Sequence, residues 1–495
     1  MKHAHKLLLL LGLWVLLQLV VLRHHFLDDA FIHLRYAHHL VDLQRISYNG
    51  QTPDFGTSSL LYTLILALGT LLTRDAYLPK IVSVLAYLCV WLLGARVLLR
   101  PRAQGQQVLA GALLVVLSSP FALRWLTDGM ETSCVALMAL LLAIWQQNPQ
   151  PTRPRVLLAC LLPFLAVLLR VEFLFVLSLA FAGHLLEAWL SPDRAQRLRN
   201  LAKIWLPALL SSLLAILLIL HLFGHLLPDT AIAKRPPPEV KIQPLATTIQ
   251  FAIVHAASSL FGVGLGLMWL FSLVMARKTR HRREQIPLLA VNLGWLVFLL
   301  LLIVTRQAIQ GVRYFVFLYS FLIAFNLLQV RATLLLSRKW QLAVVPLLAW
   351  LSFDAFVVQR LSRGRSQTWV TFSSAQLSPL SGLKGLAYDI GFAGYFTNGD
   401  IQDVNGLING RQIAAMPTPE RLRVHLQQNL AFAFVNDYQL RDVHKQFPAI
   451  AAWPSVLHAD FPNADGLPDR HWLLVRPDVA RQFAHTEMPE IALPK

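Results

Sequence analysis

The stretch "GTSSLLYTLILALGTLL", residues 56–72, decides how this chain is folded, because it is apolar enough to be counted as a membrane span. Counting it puts Arg96, Arg100 and Arg102 outside the cell and inverts every later basic loop. Reading it as a helix lying in the outer interface instead places these basic groups in the cytoplasm: Lys2/Lys6, Arg96/Arg100/Arg102, Arg153/Arg155, Arg194/Arg197/Arg199/Lys203, Arg277/Lys278/Arg280/Arg282/Arg283 and Arg331/Arg338/Lys339. The excess of Lys and Arg on cytoplasmic loops then holds throughout the chain, which favours the interfacial reading.

Working outward, apolar runs of membrane length fall at 6–22, 78–99, 108–126, 130–146, 155–170, 171–190, 203–224, 250–276, 286–304, 313–331 and 340–358, eleven candidate helices. The composition agrees: 56% of the 495 residues are hydrophobic and 14% charged, against about a quarter charged in a soluble domain. A net charge of +18 would suit nucleic acid, but the basic residues lie between apolar runs rather than in one soluble patch, so no nucleic-acid partner is expected. The first run follows Lys2 and Lys6, lacks a small-residue cleavage site and continues into "VVLRHHFLDD", so it reads as an uncleaved span. Cys89, Cys134 and Cys160 lie inside apolar runs, and no disulfide framework is implied.

The expected fold is therefore a polytopic α-helical membrane protein with about eleven transmembrane helices, interfacial helices in the first outer loop and a C-terminal periplasmic α/β domain. Residues 1–359 form the transmembrane part and 360–495 the outer domain, where Asp, Asn, Pro and Gly return and short strand-like runs such as "LAFAFVND" and "HWLLVRP" occur. The expected location is a bacterial inner membrane, with the amino terminus cytoplasmic.

This topology collects the unusual polar groups on the outer side. Asp28 and Asp29 open the first outer loop, Glu131 follows "RWLTDGM" with its Asp128, and Arg170 and Glu172 sit at a hairpin. Lys234 lies in "LPDTAIAKRPPP", and Arg306, Arg313 and Tyr314 flank a late outer turn. An outer cavity holding carboxylates and cations suits transfer of a sugar from a lipid phosphate to a hydroxyl. The phosphate needs cationic partners, the acceptor hydroxyl needs a carboxylate to take its proton, and the leaving phosphate departs once its charge is stabilised. No cofactor is required by that chemistry, and a divalent cation is compatible with it.

Plainer readings stand beside this one. The two aspartates serve equally as a helix cap and first-turn charge, Arg170 and Glu172 as a structural hairpin pair, and Lys234 as a solvated loop charge. His24, His25, His38 and His39 show no zinc-motif spacing. A transporter or flippase of lipid-linked sugars would also carry many spans, but paired halves with matching broken helices are not evident. A non-catalytic scaffold leaves the outer charges without a task.

Several segments resemble, in order, the polyprenyl-phosphate-dependent glycosyltransferases of the C class (GT-C), and most closely the branch with the mycobacterial terminal arabinofuranosyltransferases. "DDAFIHLRYAHHLVDLQRISYNGQTPDFGTSSLLYTLILAL" is similar to a first outer loop in which an Asp-Asp pair precedes Ile-Thr-x-Arg-Tyr-Ala-x-Asn-Leu. "TDGMETSCVALMALLLA" is similar to the Gly-(Leu/Met)-Glu-Thr stretch, "LLRVEFLFVL" to an Arg-Pro-Glu hairpin, and "LPDTAIAK" to a Leu-Pro-Asn-Thr loop. "RYFVFLYSFLIAF" resembles a late Arg-Tyr helix, and "AYDIGFAGYFTNGDIQDVNGLING" an outer-domain Asp-x-Gly-x-x-Gly-Tyr segment. The resemblance implies an inverting transferase at the outer face, using a polyprenyl-phosphate sugar donor, with arabinofuranose the family's sugar, and a glycan or protein acceptor. It makes Asp28 or Asp29 the catalytic base and Glu131 a second catalytic carboxylate, in contact with acceptor or sugar. Arg170, Lys234 and Arg313 become partners of the phosphate, and Arg35, Tyr36, Asp128, Glu172 and Tyr314 line the substrate. Val171 replaces the family's proline, Asp229 its asparagine, and "NGQTPDF" lacks its Pro-Gly-Glu turn.

Overall fold

The structure, a computed structural model, describes residues 2–51, 53–99, 114, 117–146, 151–233, 269–270, 272–274, 276–277, 285–304, 326, 377–446, 448–462 and 468–483. Lys234, Arg306, Arg313, Tyr314, the runs at 313–331 and 340–358 save position 326, and the boundary near 360 lie outside the described residues.

The described helices before the sheet are α1 (Lys2–Val21), α2 (Asp28–Leu43), α3 (Leu60–Thr70), α4 (Leu78–Leu99), α5 (Pro120–Leu126), α6 (Thr132–Gln146), α7 (Arg153–Leu169), α8 (Phe173–Trp189), α9 (Arg194–Phe223), α10 (Asp229–Ala233) and α11 (Gln285–Val304). Helix α3 begins where the Ser59 side chain accepts the Tyr62 amide, and it has 11 residues. That is roughly 16 Å at the helical rise, about half a bilayer's hydrocarbon thickness, so α3 does not span. The run at 108–126 is not one helix: Ser119 accepts the Ala122 amide and Pro120 occupies the first turn of α5. Proline's fixed φ and missing N–H suit the first turn of a helix, and with the Ser119 side chain as cap the Ser-Pro step starts a new helix there. Conversely, α9 begins at Arg194, before its apolar run, because "RAQRLRNLAK" supplies good helix formers.

Among the described residues, α4 and α9 carry the two helical stretches long and apolar enough to cross a bilayer. Leucines at 9, 10, 13, 16 and 17 of α1 and at 206, 209, 210, 213, 214 and 217 of α9 are exposed. Such a leucine surface is suited to hydrocarbon, and in water it would drive association.

The chain after residue 377 builds a five-stranded sheet of β1 (Lys384–Ala387), β2 (Asp400–Asp403), β3 (Phe432–Asn436), β4 (Ser455–Pro462) and β5 (Pro468–Val475), ordered β2-β1-β3-β5-β4. Strands β2, β1 and β3 are parallel, and β5 pairs antiparallel with β3 and β4. Helix α12 (Ile390–Thr397) crosses from β1 to β2. The two strand-like runs read from the sequence fall in β3 and β5.

Strand alternation splits the sheet between two cores. Ala433 and Val435 of β3 join Leu386, Leu422 and Leu474 in a core of the sheet's own. Phe432 and Phe434 join Ile390 and Phe392, and through them Phe31, Leu34 and Tyr36 of α2. The sheet is thus packed into the same core as the helices, at the end where α2, the turn before α6 and the α7–α8 turn meet.

Candidate functional site

Helix α2 positions two different sets of groups, one on each side. Asp28, Phe31 and Arg35 recur at i, i+3 and i+7 and share a face. Asp28 does not cap its own helix, whose N-cap is Leu27 without a side-chain bond. Its carboxylate instead accepts the Gly391 amide at 2.8 Å and the Phe392 amide at 2.7 Å, closing the N-terminus of α12. At the other end of α12, Arg35 donates to the carbonyls of Gly394 and Gly399, the latter at 2.6 Å, while its Nε donates to Tyr48 O at 2.7 Å. Between them the Phe31 ring lies 5.4 Å from the Tyr395 and Phe396 rings. An anion at the start and a cation at the end of one helix both oppose its dipole.

This contact needs Gly391, where a Cβ would lie 1.9 Å from the Asp28 carbonyl oxygen, and Gly394, where one would lie 2.0 Å from the Tyr48 hydroxyl. The loop after α2 continues the seam. The Tyr48 hydroxyl donates to Ile390 O, and the Asn49 amide exchanges two 3.0 Å bonds with the Ile401 backbone, closing the free edge of β2. Burial raises the Asp28 carboxyl well above the usual range and neighbouring Asp389 adds to this, while the Phe392 amide pulls it back.

Asp29, His33 and Tyr36, at i, i+4 and i+7, mark the other face. His33 Nε2 lies 3.3 Å from Glu131 Oε2, and its Nδ1 is 3.0 Å from Thr57 Oγ1. Glu131, 1% exposed just before α6, accepts Ser58 Oγ at 3.2 Å and an Arg170 Nη2 on the same oxygen. Arg170 ends α7 in extended conformation, and its other nitrogen is 3.6 Å from Glu172. One carboxylate therefore joins α2, the segment before α3, the start of α6 and the α7–α8 turn. A guanidinium and a hydroxyl bonded to one oxygen of this buried carboxylate, with an imidazole nitrogen 3.3 Å from the other, fix its orientation.

Asp128 shapes the turn leading to Glu131: its Oδ1 accepts the Met130 amide at 2.9 Å, and its backbone oxygen accepts the Leu27 amide at 3.1 Å. Nearby Lys80 is buried, donates to His25 O at 3.0 Å and feels the Asp128 charge. Tyr36 donates to Asp54, which also accepts the Tyr48 amide at 2.9 Å and the Gly56 amide at 3.3 Å. Burial pushes the Asp54 carboxyl up to about 8 against those amide bonds. Asp229, the first residue of α10, donates its amide to Phe55 O at 2.9 Å, and burial raises its carboxyl.

The structure thus brings together Glu131, Arg170 and Glu172, and places Asp29 on the face of α2 that carries their neighbour His33. Arg35 and Tyr36, expected at the substrate, have as described partners backbone carbonyls and Asp54. Asp28 faces α12, while Lys234, Arg313 and Tyr314 fall outside the described residues. Sequence reasoning missed His33, Thr57, Ser58, Lys80 and Asp54. A signal existed for His33, which lies one helical turn after Asp29 and stands where the resembled loop has threonine. Among the described residues, no group of three or more His, Cys, Asp or Glu is arranged to hold a metal ion.

No protein-family model matches this chain, and no curated protein matches it. Among solved structures it is similar to the crystal structure of ArnT from Cupriavidus metallidurans bound to undecaprenyl phosphate, with 13% identity over 94% of this chain and 97% of that one, at a TM-score of 0.46.

Proposed function

We propose that this chain is an inverting glycosyltransferase that moves a sugar from a polyprenyl-phosphate carrier to a hydroxyl of a cell-envelope glycan or secreted protein. It acts at the outer face of a bacterial inner membrane that its leucine-faced helices cross. The observation that carries this reading is the buried Glu131–Arg170 pair with His33, set beneath an aspartate-bearing helix at one end of apolar helices. A carrier whose tail lies in hydrocarbon and whose phosphate lies at the interface would meet cations and carboxylates at that level.

In this mechanism a carboxylate of the Asp28/Asp29 pair takes the proton of the acceptor hydroxyl. The acceptor oxygen bonds to the sugar's anomeric carbon as the bond from that carbon to the phosphate oxygen breaks, and the electron pair leaves with the phosphate. A single displacement inverts the anomeric centre. Arg170, with Lys234 and Arg313, stabilises the phosphate charge, and Glu131 accepts hydrogen bonds from sugar or acceptor hydroxyls. The sheet domain recognises the acceptor. Arabinofuranose is the sugar the resembled loop favours, and mannose or aminoarabinose would pass through the same steps. No step calls for a cofactor.

The test is transfer by the purified full chain from a synthetic polyprenyl-phosphate arabinofuranose, with the mannosyl and aminoarabinosyl carriers alongside. Transfer that falls by about a hundredfold or more in Glu131→Gln and in one of the two aspartate variants supports the mechanism. Turnover by wild type with full activity in both Asp28→Ala and Asp29→Ala would show it to be wrong. Movement of the labelled carrier across proteoliposomes without transfer would favour a flippase.

A further inference from the structure

We infer that the adjacent aspartates have separate tasks: Asp28 is a positioning residue that, with Arg35, clamps the sheet domain's α12 end to end, and Asp29 is the base. The base assignment rests on the glycosyltransferase reading, whereas the clamp does not. Successive helical residues point about 100° apart, so one face of α2 cannot present both carboxylates. Asp28 has both oxygens occupied by backbone amides, Gly391 at 2.8 Å and Phe392 at 2.7 Å, on a helix that Arg35 holds at its other end. Backbone amides cannot turn away to release a carboxylate for a substrate proton. A base must also face the groups that meet the substrate, and Asp29 shares its face with His33, the neighbour of Glu131.

The clamp gives the sheet domain a mechanical tie to the catalytic helix. Domain contacts at Asp28, Phe31 and Arg35 fix the rotation of α2 about its axis, and that rotation sets where Asp29 points. An acceptor bound by the sheet domain is thereby held in a fixed frame relative to the base. Gly391 and Gly394 are what allow the approach, since a side chain at either would meet α2 or Tyr48.

Two readouts on the full-length protein separate the roles. In hydrogen exchange, Asp28→Ala speeds the Gly391 and Phe392 amides by about tenfold to a hundredfold, the effect of losing a bond to a charged acceptor. Asp28→Asn keeps one acceptor oxygen and leaves one of the two amides protected, which guards against a misfolded alanine variant. Asp29→Asn leaves both amides at the wild-type rate. In the transfer assay with synthetic polyprenyl-phosphate arabinofuranose, Asp29→Asn loses about a hundredfold or more in kcat and the acid limb of its pH profile. Asp28→Asn keeps that limb and loses about tenfold or less. Unchanged exchange at Gly391 and Phe392 in Asp28→Ala overturns the clamp. Loss of the acid limb in Asp28→Asn but not Asp29→Asn overturns the assignment of the base. Faster exchange in Asp28→Ala with no transfer from any carrier by wild type upholds the clamp and sinks the glycosyltransferase reading.

Discussion

Asp28 and Glu131 are carboxylates at the same end of the molecule, and their surroundings differ in kind. Asp28 is held by two backbone amides of α12, whereas Glu131 is held by the side chains of Arg170, Ser58 and His33. Backbone donors are fixed by the helix that carries them, so a carboxylate satisfied by them fastens one element to another. Side-chain donors can exchange partners with a ligand at little cost to the fold. The contrast separates a seam from the proposed site, although both use a buried acid.

The largest expected effect breaks the contrast at Glu131. Glu131→Ala leaves Arg170 and His33 without their shared carboxylate and lowers stability by about 3–5 kcal/mol, read as a fall in thermal midpoint of the detergent-solubilised protein. Glu131→Gln keeps the shape, so wild-type transfer by that variant would make Glu131 a structural group like Asp28. Next, Gly391→Ala drives a methyl into the Asp28 backbone and costs about 1–3 kcal/mol. Its signature is protease sensitivity across residues 377–400 with the Glu131 cluster undisturbed, and equal loosening at both places would merge the two regions into one.

Asp54 offers a third probe, because it orders the loop that carries Tyr48 to the seam and has a raised carboxyl. The folded chain holds this proton up to about 8, and the unfolded chain releases it near the ordinary carboxylate value. Its contribution is full at low pH and disappears as pH rises toward 8, so stability falls with pH in that window. Asp54→Asn flattens the slope by up to about 1.4 kcal/mol per pH unit, the contribution of a single proton. A slope as steep as wild type in thermal unfolding from pH 5 to 8 assigns it to other groups. His33→Thr, which restores the residue of the resembled loop, removes the 3.3 Å contact to Glu131 and costs about 1 kcal/mol. Its effect belongs in kcat rather than in α12 exchange. Arg74→Ala, which breaks an exposed pair with Asp42, leaves both stability and transfer as in wild type.

Much of the architecture was legible. Apolar runs marked α1, α4, α6 to α9 and α11, and the charge pattern excluded residues 56–72 as a span, in agreement with an 11-residue α3. Glu131, Arg170 and Glu172 were singled out from residue types at predicted helix ends. The run at 108–126 misled because hydropathy does not register that Ser119 and Pro120 start a new helix. Asp28 could be read from the sequence as the base or as the cap of its own helix, and neither reading names its described partners, the amides that open a helix 363 residues away.

From the sequence alone came which segments are apolar, where charge collects, and which residue types stand near the ends of those segments. Each of those depends on residues within a turn or two of one another. That Asp28 closes α12, that Arg35 bonds backbone carbonyls, that Asn49 covers the edge of β2 and that His33 stands beside Glu131 emerged with the packed chain. The reason is physical: a hydrogen bond's partner is set by which distant segments pack together, and packing is a property of the whole core rather than of any local stretch.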